Sequence, residues 1–100
     1  MIKEIEPSRL LEIIERKEKV YLVDIREDYE YEDGHLPAHH MPMDNVLEAS
    51  QSFPKDCPVI IYCQSSKRSS AMAYMLHREK GLENVFSVTG GYEAIAQLMA

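Results

Sequence analysis

Tryptophan is absent from this chain, and cysteine is limited to 2 residues and glycine to 4 in 100. Two cysteines give no disulfide framework. Cys57 and Cys63 stand six residues apart. In an extended segment that is about 20 Å, and a disulfide needs Cα atoms within about 7 Å. They should not bond to each other, and a structural zinc site is not indicated. Cys57, before Pro58, reads as a loop thiol that could act as a relay only with another molecule. No apolar run approaches the roughly 20 residues of a membrane span. Met1 to Glu6 has no apolar signal region, so a cytoplasmic chain is expected. Basic residues are in deficit, 11 against 17 acidic, for a net charge of −6. That disfavours nucleic acid or an anionic membrane as the main partner and reads first as solubility. Repeats, low-complexity tracts and linkers are absent. With 45% hydrophobic residues, the expectation is one globular domain over residues 1–100.

The pattern that is present alternates strand and helix. Ile2–Ile5 reads as a short strand. Pro7 suits a first helical position, and Leu10, Leu11, Ile13 and Ile14 form a helical stripe. The charged run Glu15–Lys19 ends that helix. Val20–Ile25 is a continuous apolar strand, as buried parallel strands are. Glu27–Asp33 predicts a turn of helix stopped by Gly34, Ala38–Met41 a short strand, and Asn45–Ser50 a short helix. Val59–Tyr62 is a strand, and Ser69–Lys80 a helix closed by Gly81. Val85–Val88 is a strand, Gly90-Gly91 a turn, and Tyr92–Met99 a helix with Ile95, Leu98 and Met99 on its apolar side. The order predicts an α/β fold: a mainly parallel sheet of four to five strands with helices on both faces.

The segment Val59 to Ser70 carries the chemistry. An apolar strand ends at Cys63, and a polar loop reaching Lys67-Arg68 feeds a helix. A loop at the carboxyl end of a strand and the amino end of a helix is where open α/β sheets bind ligands. Free backbone N–H groups and the helix dipole collect positive potential there. A cysteine so held should be a thiolate near neutral pH.

Three signatures together resemble the single-domain rhodaneses, a family of sulfurtransferases. The first is Asp24-Ile25-Arg26, then Glu30-Tyr31, then Gly34-His35-Leu36-Pro37. The second is Cys63 to Arg68 followed by Ser69, like the family's C-x-x-x-x-R-S loop. The third is Gly90-Gly91-Tyr92, and the three span roughly residues 5 to 96. The chain departs from the pattern at three points. Ser66 stands where many members have glycine, and must adopt that loop geometry without glycine's freedom at positive φ. Leu36-Pro37-Ala38 is one residue shorter than usual. Ile95 replaces a frequent tryptophan, which affects packing only.

The resemblance implies that Cys63 attacks the outer sulfur of a donor such as thiosulfate, becomes a persulfide, and passes that sulfur to cyanide or a thiol acceptor. A nest of loop N–H groups would hold the thiolate. Arg68 would grip an anionic donor bidentately, with Lys67 at the rim. Ser65, Ser66 and Ser69 offer hydroxyl groups, although Ser69 equally suits a helix cap. Gln64 adjoins the nucleophile. Asp24 and Arg26 read as an ion pair bracing the sheet edge, and His35 as a supporting turn residue. His39-His40 is not a metal pair, because neighbours on a strand face opposite ways. His77 should be exposed. The chemistry requires no metal or organic cofactor. Partners would be a small anionic sulfur donor and a thiol, cyanide or relay-protein acceptor. The non-enzymatic rival is a rhodanese-like binding module or a persulfide carrier. A cysteine phosphatase or arsenate reductase is a weaker rival, because those loops have five residues between cysteine and arginine and this one has four.

Overall fold

The computed structural model describes residues 3–100. Its elements are β1 (Glu4–Ile5), α1 (Pro7–Glu15), β2 (Tyr21–Asp24), α2 (Asp28–Glu32), β3 (His39–His40), α3 (Met43–Ala49), β4 (Val59–Tyr62), α4 (Lys67–Lys80), β5 (Val85–Val88) and α5 (Gly91–Met99). The five strands form one sheet in the order β1-β5-β4-β2-β3. Every pairing is parallel, as the alternation of strand and helix predicts. Ile2, placed in the first strand by the sequence pattern, lies outside the described residues.

Side chains alternate across the central strands with period two. Val59, Ile61 and Cys63 enter one core, with Val23, Ile25, Val46, Met72, Ala73 and Leu76. Ile60 and Tyr62 enter the other, with Leu10, Ile13, Leu22, Val88 and Ile95. Helices α3 and α4 therefore cover one face, and α1 and α5 the other.

After β4 the chain crosses to β5, and after β2 it crosses the opposite way to β3. The boundary between β4 and β2 is the point where the strand order reverses, and ligands of open parallel sheets bind there. Cys63 follows β4 and Ile25-Arg26 follows β2, so the fold brings two sequence motifs to one crevice. Among the described residues, no helix is long and apolar enough to cross a membrane.

Several boundaries differ from the pattern. Helix α3 starts at Met43, because Pro42 with φ −51° sets the entry, and the chain continues as a 3₁₀ turn over Ser50–Ser52. Helix α4 starts at Lys67, so Lys67 and Arg68 are its first residues and not loop. In α5 only Gly91 and Ile95 are buried. Leu98 and Met99 are 55% and 49% exposed, because burial ends at Ile95 and the last turn faces solvent. His77 is half-buried, with Nδ1 3.2 Å from the Leu82 carbonyl.

Candidate active site

Cys63 lies at the end of β4, fully buried. Its sulfur accepts hydrogen bonds from the backbone N–H of Ser66 at 3.1 Å and of Ser69 at 3.3 Å. The Ser69 hydroxyl stands 3.6 Å from the same sulfur. Burial pushes the Cys63 thiol up. The Ser69 hydroxyl and the loop amides outweigh it, and the net shift is below the ordinary cysteine value. The loop is thus a nest of donors aimed at one sulfur.

The nest depends on an uncommon backbone state. Ser66, which precedes α4, has φ +95°. It takes the left-handed conformation that glycine enters freely, at a cost of about 1–3 kcal/mol. This turn lets the N–H groups of Ser66 and Ser69 point at the same atom.

Ser69 is neither a helix cap nor an open donor to substrate. It is fully buried inside α4, and its hydroxyl is 2.7 Å from that of Ser87. Ser87 is a site residue that the sequence reading missed. It is the one polar side chain in the apolar strand Val85-Phe86-Ser87-Val88, and that contrast was its available signal. With the Ser87 proton directed at Ser69, the single Ser69 proton can go to the sulfur or to the Ser66 carbonyl 3.2 Å away.

The carbonyls of Cys63 and Gln64 are fixed from the other side. They accept hydrogen bonds from the N–H groups of Tyr92 at 2.8 Å and Glu93 at 3.1 Å, in the first turn of α5. Those amides have no partner within their own helix. Gly91 permits this approach, with φ +61° and no side chain.

Arg26 ties the remaining segments together. It is buried and paired with buried Asp24 at 2.9 Å. Asp24 ends β2, one strand in from the edge, and Arg26 follows it, so the pair braces the carboxyl end of the sheet. Arg26 also donates to the Gly34 carbonyl at 2.6 Å and the Gln64 side chain at 3.1 Å. Its guanidinium lies 4.1 Å from the ring centre of Tyr92. A hollow of about 220 Å³ beside Gln64 is lined by Arg26, Tyr29, Glu30, Asp33, Gln64 and Tyr92.

Arg68 meets a partner that the sequence reading did not assign to the site. Both terminal nitrogens hold the Glu30 carboxylate, each at 3.1 Å. Ser65 in the loop and Lys67 at the start of α4 are exposed, and Gln64 and Ser66 are half-buried. His35 is exposed. It stacks on Tyr31 with ring centres 3.7 Å apart and has Nδ1 2.9 Å from the Tyr31 carbonyl. His39 and His40 face opposite ways: His39 stacks on Tyr21, and His40 on Tyr31.

The sequence matches the Rhodanese-like domain family over residues 6–98. It is 38% identical over 94 residues to YtwF of Bacillus subtilis strain 168, a protein whose name places it with the sulfurtransferases, covering 93% of this chain and 89% of that one. It is 31% identical over 94 residues to the thiosulfate sulfurtransferase GlpE of Coxiella burnetii, covering 93% and 86%. Among solved structures, reduced CoADR-RHD of Bacillus anthracis superposes with a TM-score of 0.84 at 27% identity. That match covers 98% of this chain, which spans 17% of the other.

Proposed function

The chain belongs to the rhodanese-like domain family, and we propose that it is a sulfurtransferase carrying sulfane sulfur as a persulfide on Cys63. The observation that carries this reading is the convergence of the Ser66 and Ser69 amides on one sulfur. A thiolate held there attacks the outer sulfur of an anionic donor such as thiosulfate. The new S–S bond forms as the donor's S–S bond breaks, and sulfite leaves with the electron pair. The same amides then face an anionic persulfide. The acceptor, cyanide or a thiol of a small molecule or relay protein, attacks the outer sulfur and restores the Cys63 thiolate. In this reading Gln64, Ser65 and Lys67 meet the donor, and no step draws on a metal or organic cofactor. A cytoplasmic location belongs to the same reading.

The test is intact-protein mass after incubation with thiosulfate, without reductant, on wild type and Cys63→Ser. A gain of one sulfur atom in wild type only, reversed by cyanide, is the expected result. No gain from thiosulfate, mercaptopyruvate or a persulfide would refute the assignment and leave a binding module.

A further inference from the structure

Three cations border the sulfur loop, and two of them are committed. Arg26 is paired with Asp24 inside the protein. Arg68 presents its two terminal nitrogens as a fork, the geometry that suits an oxyanion, and Glu30 fills it with one oxygen on each nitrogen. Glu30 is itself held: Oε1 also accepts the Glu27 N–H at 2.9 Å. The Glu30 and Glu27 pair forms the capping box of α2, so the carboxylate is aimed by the start of that helix. Among the described residues, Lys67 is the one cation of the three outside any ion pair. The neighbouring hollow adds Glu30 and Asp33 and no uncommitted positive charge.

We propose that Glu30 determines donor choice: its carboxylate occupies the anion fork of Arg68, so the site favours thiol persulfides over thiosulfate, whose sulfonate end must displace it. This rests on the sulfurtransferase reading above. With a thiol persulfide, the Cys63 thiolate attacks the outer sulfur and the donor's S–S bond breaks. The donor departs as a thiol, taking the proton that the outer sulfur carried, and Cys63 is left as an anionic persulfide. No oxyanion needs Arg68 in that step. With thiosulfate, charge balance makes the leaving sulfite a dianion, and the fork that would receive it is taken. Glu30 thus acts as a specificity-determining residue through Arg68.

The experiment measures loading of Cys63 by intact mass, over a range of donor concentrations, for thiosulfate and for mercaptoethanol persulfide. Glu30→Gln keeps the capping box, because glutamine serves at that position, and removes the charge. The expected result is a rise of about fivefold in the ratio of thiosulfate to persulfide rate constants, the scale of one partly exposed ion pair. Should E30Q not fold, Glu30→Asp loosens the same fork with a shorter arm and gives a smaller rise. An unchanged or lower ratio overturns the proposal. Sulfite binding to Cys63→Ser, with and without E30Q, needs no turnover. Tighter binding by about fivefold supports Glu30 as the occupant of the fork, and equal binding overturns it. If wild type loads from neither donor, the sulfurtransferase reading fails by itself and the sulfite titration still decides the role of Glu30.

Discussion

The backbone of Gly91 is pressed against the carbonyl of Cys63: a Cβ added to Gly91 would stand 2.6 Å from that oxygen and 2.7 Å from the carbonyl carbon and oxygen of Gln64. No side-chain movement relieves such a clash, because both partners are main chain. Gly81 gives the matched control. It has a similar φ of +66°, yet a Cβ there meets nothing within 4 Å. Gly81→Ala should cost about 1 kcal/mol, the left-handed penalty alone. Gly91→Ala should cost about 3 kcal/mol or more and slow sulfur loading. Urea unfolding of both variants checks this, and equal losses would show that the close approach carries no energy.

Ser66 holds φ +95° without a side-chain cap. Ser66→Gly should relieve about 1–3 kcal/mol of strain and lose part of it, about 0.4–1 kcal/mol, to the greater freedom of glycine in the unfolded chain. The expected outcome is a gain of about 1 kcal/mol with sulfur loading retained, since the hydrogen bond to Cys63 comes from the backbone. Ser66→Ala keeps the strain and should show no gain. Thermal melts of the two variants separate these outcomes.

The Asp24–Arg26 pair is buried on both sides. Asp24→Asn leaves the guanidinium without its counter-charge inside the protein, and should cost about 3–5 kcal/mol. Replacing both residues together, Asp24→Leu with Arg26→Met, should cost less, because no charge is stranded. The double variant should still load sulfur slowly, since Gln64 loses the Arg26 hydrogen bond. A double variant less stable than Asp24→Asn would contradict this account.

The Cys63 thiol lies below its ordinary value, against burial, through Ser69 and the loop amides. Its folded-state value is therefore depressed relative to the unfolded chain. The thiolate contributes stability that is present above the unfolded value of about 8.5 and is lost as pH falls through the folded value. Thiolate absorbance in the ultraviolet, followed in a Cys57→Ser background, should titrate with a midpoint below about 8.5. Ser69→Ala should move that midpoint upward. A midpoint at or above the free-cysteine value would show that the nest does not hold a thiolate.

The sheet was legible because its cues are local. Val20–Ile25, Val59–Tyr62 and Val85–Val88 are apolar runs bounded by polar turns, and the alternation with helices leaves parallel pairing as the simple solution. The position of Cys63 was legible for the same reason. What escaped were relations between distant segments. Ser69 reads from sequence as a hydroxyl donor or equally as a helix cap; its hydroxyl instead pairs with Ser87, 18 residues later. Arg68 reads from sequence as a grip for an anionic donor, because its partner, Glu30, lies 38 residues upstream and gives no local cue. The early start of α4 was hidden because Ser66 enters it in a conformation that serine rarely adopts.

The capping of Cys63 and Gln64 by the amides of Tyr92 and Glu93 also has a consequence in time. During synthesis the strand and the cysteine emerge well before residues 91–99 do, and β1 waits for β5 in the same way. Until those residues appear, the loop carbonyls lack their donors, and the cysteine is an ordinary thiol on an unfinished chain. Its distinctive reactivity belongs to the folded domain and is switched on when α5 docks against the loop.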